Sequence, residues 1–271
     1  MENFSFKPRY DFNDLCAIMK ILRAPGGCPW DIEQTHESIK KSFIEETYEV
    51  IEAINKNDKT LMCEELGDVL LQVVFHAEIE RGENTFDIGD VCDGICKKLI
   101  ERHPHVFASD SADTPREVLV KWDEIKRKTK GQKTQGDSMK AVPLELPALM
   151  RAEKIQSKAR KAGFDWDEAD GAFDALRSEI DELEEAWRSK SAADIEDEFG
   201  DVLFSAVNVS RFLGVDSEEA LTKASNKFLK RYLIVEKLAS ERKINMKETP
   251  VEELDKLWNE AKKIISESSA E

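Results

Sequence analysis

Two sets of four carboxylates dominate the chemistry available to this chain. Glu46-x-x-Glu49 is followed by Glu65-x-x-Asp68, and the pattern returns as Glu179-x-x-Glu182 followed by Glu198-x-x-Asp201. Three-residue spacing puts both acids of a pair on one face of a helix. The step from 49 to 65 and from 182 to 198 is 16 residues in both sets. Four acids aimed at one place repel each other unless a cation sits between them. Oxygen-only ligands suit Mg²⁺, with Mn²⁺ as a substitute, and Mg²⁺ commonly works with phosphates. A single E-x-x-E is usually a solvated helix face. Twinned quartets point instead to metal-assisted chemistry on a phosphorylated substrate.

The elements that must position these acids are helical hairpins. Asn55–Lys59 and Ser189–Ser191 have turn character. Residues 49 and 65, and likewise 46 and 68, centre on 57; the second set centres on 190. In an antiparallel hairpin, residues equidistant from the turn face each other, so Glu49 should oppose Glu65 and Glu46 should oppose Asp68. At about 1.5 Å per residue the first pair lies roughly 12 Å from the turn. Helices packed about 8–10 Å apart bring such groups around shared ions.

The repeat reaches beyond the acids. Gly27-Cys28-Pro29-Trp30-Asp31 matches Gly163-Phe164-Asp165-Trp166-Asp167, and Glu65–Leu70 matches Glu198–Leu203. Lys98 and Arg102 match Lys227 and Arg231; Trp122 and Lys126 match Trp258 and Lys262. Helical periods prevail, as in Leu66, Val69, Leu70, Val73, Val74 and Ala77, and strand signals are scarce. The expected fold class is all-α, with one repeat over 1–130, a linker over 131–144 and a second repeat over 145–271. Residues 126–140 lack an apolar period and read as solvated. A helix is expected at about 148–162, ended by Gly163.

The net charge of −16 over 271 residues disfavours a nucleic-acid partner. No apolar run approaches a membrane span and no signal peptide is evident. Five cysteines, Cys16, Cys28, Cys63, Cys92 and Cys96, are an odd number. They read as reduced thiols in a cytoplasm. Cys92-x-x-x-Cys96 reads as a helix face packed inward.

Each Lys/Arg pair is either an exposed basic face or a phosphate clamp, and its recurrence favours the clamp. Trp122 and Trp258 fit a core or interface aromatic as well as a base-stacking residue. Trp30 and Trp166 either pack a loop or touch a base. His103-Pro104-His105 has no counterpart in repeat two, which argues against a shared catalytic His. Glu33-x-x-His36 is likewise single, which argues against a di-iron bundle. Walker, Rossmann and nucleophile-elbow motifs are missing.

Glu45-Glu46-x-x-Glu49 with Glu65-x-x-Asp68 resembles the signature of the MazG family of nucleoside triphosphate pyrophosphohydrolases. Gly27–Asp31, Glu45–Val50, Arg102–Phe107 and Lys227-Phe228 agree with it, and the tandem arrangement is similar to that of two-domain bacterial members. The resemblance implies an all-α NTP pyrophosphatase fold, assembled as a homodimer of helical bundles. It implies Mg²⁺-dependent hydrolysis of NTP to NMP and pyrophosphate, with broad tolerance, in nucleotide house-cleaning or pool control. The acids would hold metal, and the Lys/Arg and Trp/Lys pairs would contact nucleotide. Repeat one has both adjacent acids of the family pattern, whereas repeat two has Ser178 before Glu179. Glu45 is thus a candidate general base in repeat one only. Repeat two is nonetheless the favoured catalytic copy, because it keeps both nucleotide-contacting pairs and is free of the extra Cys and His residues. The alternatives are a narrower dUTP- or dCTP-type pyrophosphatase and a nucleotide-sensing scaffold.

Overall fold

The computed structural model describes residues 4–108, 114–129 and 131–268, and among them helix is the only regular secondary structure. The chain divides into two compact units, Met1–Lys126 and Arg127–Glu271.

Unit 1 is built on a hairpin of α3 (His36–Lys56) and α4 (Lys59–Gly82), preceded by α1 (Phe12–Arg23) and the short α2 (Pro29–Glu33). α5 (Ile88–Arg102), α6 (Pro104–Phe107) and α7 (Pro115–Thr129) follow, with α7 running past the unit's end. Local signals start the helices where expected. Thr35 caps α3, accepting from the Ser38 amide, and Asp58 caps α4, accepting from Thr60 and Leu61. The core of the unit is Met19, Ile39, Val74 and Phe75, where α1 packs onto the hairpin.

Unit 2 repeats the plan. α9 (Ala148–Lys161) precedes a hairpin of α10 (Ala169–Ser189) and α11 (Ala192–Phe212), and α12 (Ser217–Glu241) pairs with α13 (Val251–Ser268). Val235, Leu238, Ala239, Leu257 and Ala261 form the core of that second pair. Gly163, at φ 83°, closes α9 in a left-handed conformation open to glycine.

Both hairpin turns sit on the centres of mirror symmetry. Asn57 (φ 54°, ψ 31°) and Lys190 (φ 60°, ψ 26°) are the left-handed residues that end α3 and α10. The first turn is tighter than Asn55–Lys59: α3 runs to Lys56 and α4 starts at Lys59. Four residues before each turn stands a buried alanine, Ala53 and Ala186, which lets the helices close on each other near the turn.

Two expectations need correction. Residues 131–144 are not a featureless linker, because Gln135–Lys140 forms α8, which packs on α9. A capping box between Thr134 and Asp137 starts it, Ser138 is buried and accepts from Lys158 Nζ at 2.5 Å, and Val142 is buried just beyond. So short a helix leaves no period to read. Cys92 and Cys96 are exposed rather than packed inward, as are Val91, Ile95 and Leu99 on the same helix. The apolar stripe of α4 is only partly covered: Val74 and Ala77 are buried, but Leu66 and Leu70 are exposed.

Lys190 holds a conformation that costs any residue with a Cβ, and a β-branched one most. Lys190→Val should lower stability by about 1–2 kcal/mol, whereas Lys190→Gly should keep or raise it. Urea unfolding of both variants checks this; equal stability would show that the turn is not a conformational constraint.

Candidate functional site

Each hairpin gathers its acids well beyond its turn. In unit 1 carboxylate oxygens of Glu46, Glu49 and Glu65 lie within 4.8 Å of one another, and in unit 2 those of Glu179, Glu182 and Glu198 do the same. Two come from the first helix of each hairpin and one from the second. The fourth acids, Asp68 and Asp201, stand outside these triplets, but their charge reaches them. Burial, then Glu49, then Asp68 push the Glu46 carboxyl above the usual range. Glu65 is raised by burial and by Glu49, with smaller contributions from Glu64 and Asp68. Glu179 is raised by burial, Glu182 and Asp201, and Glu198 by the same three causes with Asp197 and Glu179 added. Each cluster is therefore short of positive charge. Three convergent carboxylates with a fourth beside them, and no nitrogen or sulfur donor, fit a hard divalent cation.

The neighbours of the clusters differ between units. Glu45 is exposed and pairs with Lys41 at 3.1 Å, one turn back on α3. At the matching place in unit 2, Ser178 donates its hydroxyl to Glu182 Oε1 at 3.1 Å. A carboxylate paired with a lysine in one copy is thus a hydroxyl that orients a clustered acid in the other.

The basic and aromatic pairs come together within each unit. The Arg102 guanidinium lies 4.9 Å from the Trp122 ring centroid, and Lys126 Nζ approaches the same ring at 4.8 Å. In unit 2 the Arg231 guanidinium lies 5.7 Å from the Trp258 ring. Phe228 packs tilted against Trp258 with ring centroids 5.0 Å apart, and Lys262 Nζ donates to Asn259. Lys98 and Lys227 are exposed. Arg102, by contrast, is buried, and Arg231 half-buried. These arginines are therefore not the exposed basic face that the spacing alone allows. Stacking orients each guanidinium, and the Nε of both is buried without a hydrogen-bond partner. Trp258 also packs on the α12–α13 core, so its structural role is real whatever else it does.

Sequence reasoning missed two polar groupings. In unit 1, His36 and His76 bring their Nδ1 atoms to 2.6 Å, and Glu80 meets His36 Nε2 at 2.6 Å. In unit 2, Arg211 forks onto Asp165, tying the loop after α9 to α11, and Gln156 is buried beside them. Only the Glu33-x-x-His36 motif hinted at the first. Nothing local hinted at the second, because its partners are 46 residues apart.

The raised carboxyls make a testable statement about stability. The fold holds these protons more tightly than the unfolded chain does, so the stability they contribute is present in acid and lost as pH rises through the raised values. In chelator, Glu65→Gln with Glu198→Gln should melt higher than the unmodified chain, by a margin that widens from mild acid to neutrality. A margin independent of pH would remove charge repulsion as its cause.

With this geometry in hand, comparison with known proteins is specific. The MazG nucleotide pyrophosphohydrolase domain matches twice, at residues 34–107 and 170–235. These spans contain the two hairpins with their acids and the two Lys/Arg pairs. The nucleoside triphosphate pyrophosphohydrolase/pyrophosphatase MazG of Thermotoga maritima is 47% identical over 251 residues, covering 93% of this chain and 95% of the relative. The nucleoside triphosphate pyrophosphohydrolase of Escherichia coli K12 is 43% identical over 254 residues, covering 92% and 96%. The Bacillus subtilis protein YabN is 42% identical over 255 residues, which are 93% of this chain and 52% of YabN. Two matched domains and relatives similar along nearly their whole length establish that this chain belongs to the MazG family of nucleotide pyrophosphohydrolases.

Proposed function

We propose that the chain hydrolyses nucleoside triphosphates to nucleoside monophosphate and pyrophosphate at a divalent-cation centre, with Mg²⁺ the working ion and Mn²⁺ a substitute. The observation that carries this is the convergence of three carboxylates in each hairpin. The names of the Thermotoga and Escherichia relatives support it. Glu46, Glu49, Glu65 and Asp68 would hold the ion in unit 1, and Glu179, Glu182, Glu198 and Asp201 in unit 2. A cation bound there supplies charge neutralisation for the triphosphate and a water of lowered pKa.

The chain's own residues do the rest. Lys98 and Arg102, or Lys227 and Arg231, bind phosphoryl oxygens; the stacked guanidinium offers a forked contact and the lysine a point charge. Trp122 with Lys126, and Trp258 with Lys262, line the approach of the nucleotide. Glu45, paired with Lys41, is the general base of this reading in unit 1 only. Ser178 instead steadies Glu182 in unit 2. We assign catalysis chiefly to unit 2, with broad tolerance of base.

The homodimer reading is supported by apolar faces that the described residues leave uncovered. Val91, Ile95 and Leu99 on α5 and Leu221, Phe228 and Leu229 on α12 are all exposed. Contiguous apolar helix faces of this kind mark interaction sites. No described helix is long and apolar enough to cross a membrane, and all five cysteines are free thiols, consistent with a reducing compartment.

Pyrophosphate release from the common NTPs and dNTPs, with and without Mg²⁺, tests the reading. Glu182→Gln should lower kcat by about 100-fold and abolish the rise in melting temperature that Mg²⁺ produces in unit 2. Glu49→Gln should leave most of the activity. Equal partial losses would refute the division of labour, and release that ignores Mg²⁺ would refute the metal centre. Separately, Lys227→Ala should cut kcat/KM by roughly 30-fold or more with little change in melting; an unchanged kcat/KM returns Lys227 to a solvated surface.

A further inference from the structure

The end of the unit 1 hairpin away from its turn is fastened by a chain of three titratable side chains. His36 opens α3, and His76 faces it from α4 with the two Nδ1 atoms 2.6 Å apart. Glu80, one turn further along α4, meets His36 Nε2 at 2.6 Å. The other oxygen of Glu80 accepts from the Thr85 hydroxyl, in the connection that leads to α5. Glu46, the nearest acid of the cluster along α3, lies ten residues beyond His36, about 15 Å of helix rise. The histidines are thus a grouping separate from the carboxylates.

Their geometry says what lies between them. The ring planes are within 4° of parallel and the centroids 4.9 Å apart. That is the widest separation that two imidazoles joined by a 2.6 Å contact can have. The rings are therefore collinear and share a plane, the geometry of an in-plane N–H···N bond and not of a stack. An ion held by both nitrogens at about 2.0–2.1 Å and tetrahedral angles would keep them roughly 3.3 Å apart. The group between them is a proton.

Two protonation states keep this chain of bonds whole. With both rings neutral, His36 Nε2 donates to Glu80 and His76 Nδ1 donates to His36 Nδ1. With one added proton, His36 donates from both nitrogens, to Glu80 and to His76 Nδ1. A second added proton puts an N–H on both facing nitrogens and sets two cations against each other at 2.6 Å. Burial, and then the charge of His36, hold His76 below its ordinary value of 6.5, so His76 is the ring that resists this proton. Hydrogen bonds from Thr85 and His36 hold Glu80 below the usual carboxylate range, so it stays charged while the histidines titrate.

Other charged groups face the site from the neighbouring elements. The cavity against His36 is lined by Arg23 of α1, Glu33 of α2, Glu78 and Arg81 of α4, and Glu83 just after it. Arg23 donates to the carbonyls of Asp31 and Gln34, and Arg81 pairs with Glu78. The first acids of α5, Asp87 and Asp90, are engaged in its capping box. On the other side His76 meets the Phe43 ring at 5.8 Å. Unit 2 has no such chain. The 133-residue step that relates the acids of the two hairpins sets Ala169, Val209 and Leu213 in the places of His36, His76 and Glu80.

We propose that His36, His76 and Glu80 form a proton-operated clasp on unit 1, which stays closed while it takes up one proton and opens on the second. Opening releases the start of α3 and the Glu80–Thr85 link, and with it the connection to α5, the helix of Lys98 and Arg102. Acid acts by this route on one hairpin of the two. The clasp goes beyond the hydrolytic reading and holds whether or not NTP is cleaved. A lowered His76 contributes stability that is complete above its unfolded value and is lost as pH falls through the lowered one. The carboxylate clusters act in the opposite sense, so variants compared at equal pH isolate the histidines.

The chain has four histidines, so ¹⁵N labelling of histidine resolves each ring in the intact protein. Titration from about pH 8 to about pH 5 should show His36 and His76 changing in two linked steps, each ring reporting both. His76→Asn places an amide nitrogen near the position of Nδ1 and cannot titrate. In that variant His36 should show one step, and the melting-temperature advantage of the wild-type chain should shrink by about 2–4 °C between neutrality and about pH 5. Independent one-step titrations of His36 and His76, with His36 unchanged in His76→Asn, would overturn the shared proton. Linked titration with a melting difference that ignores pH would overturn the opening. The wild-type titration needs no variant, and should His76→Asn fold poorly, His36→Asn, at a half-exposed position, supplies the melting comparison by the same criterion.

Discussion

Like charges held together at the middle of a helical hairpin are the constraint on which each unit is built. Carboxylates within 4.8 Å of one another cost the fold free energy, and burial together with these neighbours holds the Glu65 and Glu198 carboxyls above the usual range. The rest of the hairpin works against it. A left-handed residue at Asn57 or Lys190 reverses the chain in the fewest residues, and buried Ala53 or Ala186 brings the helices close just before the turn. Close helices are what allow acids from two segments to converge, so the packing that makes the repulsion also assembles a carboxylate cluster suited to a hard cation. A cation that binds only the folded arrangement converts the penalty into stabilisation.

Duplication then lets one hairpin be spent in two ways. The clusters are alike, but their surroundings have drifted in opposite senses. Unit 1 keeps Glu45 free of the cluster and fills its flank with Met19 and Phe75. Unit 2 trades the extra acid for a hydroxyl on Glu182 and lines a cavity with Gln156 and Asn208.

What the sequence reveals follows from the range of the interactions. The all-α class, the hairpins and their turn centres at 57 and 190 are legible because helix rise and period are regular over many residues, so opposition across a turn is arithmetic. Helix α8 is not legible, since six residues held by a capping box and two buried positions carry no period. Arg102 was readable as charged but not as buried, because its burial depends on a tryptophan 20 residues later on another helix. Gln156 and Asn208 were invisible as a pair. Their meaning lies in a hydrogen bond to a main-chain carbonyl and a shared arginine, neither of which leaves a local mark.

The basic residues and the uncovered apolar faces belong to one argument. Lys98 and Arg102 share α5 with exposed Val91, Ile95 and Leu99, and Lys227 and Arg231 share α12 with exposed Leu221, Phe228 and Leu229. Within a single chain these helices leave Lys98 and Lys227 in water, where a phosphate contact is weak. On the homodimer reading, a second copy covering the apolar residues would remove water from the same helices. The stacked arginines are already oriented by Trp122 and Trp258, with Nε atoms that no protein group occupies. Lower local dielectric would strengthen their hold on phosphoryl oxygens without any new contact. Assembly and catalysis would then be coupled through solvent exclusion, which explains why the apolar and basic residues occur on the same two helices rather than on separate ones.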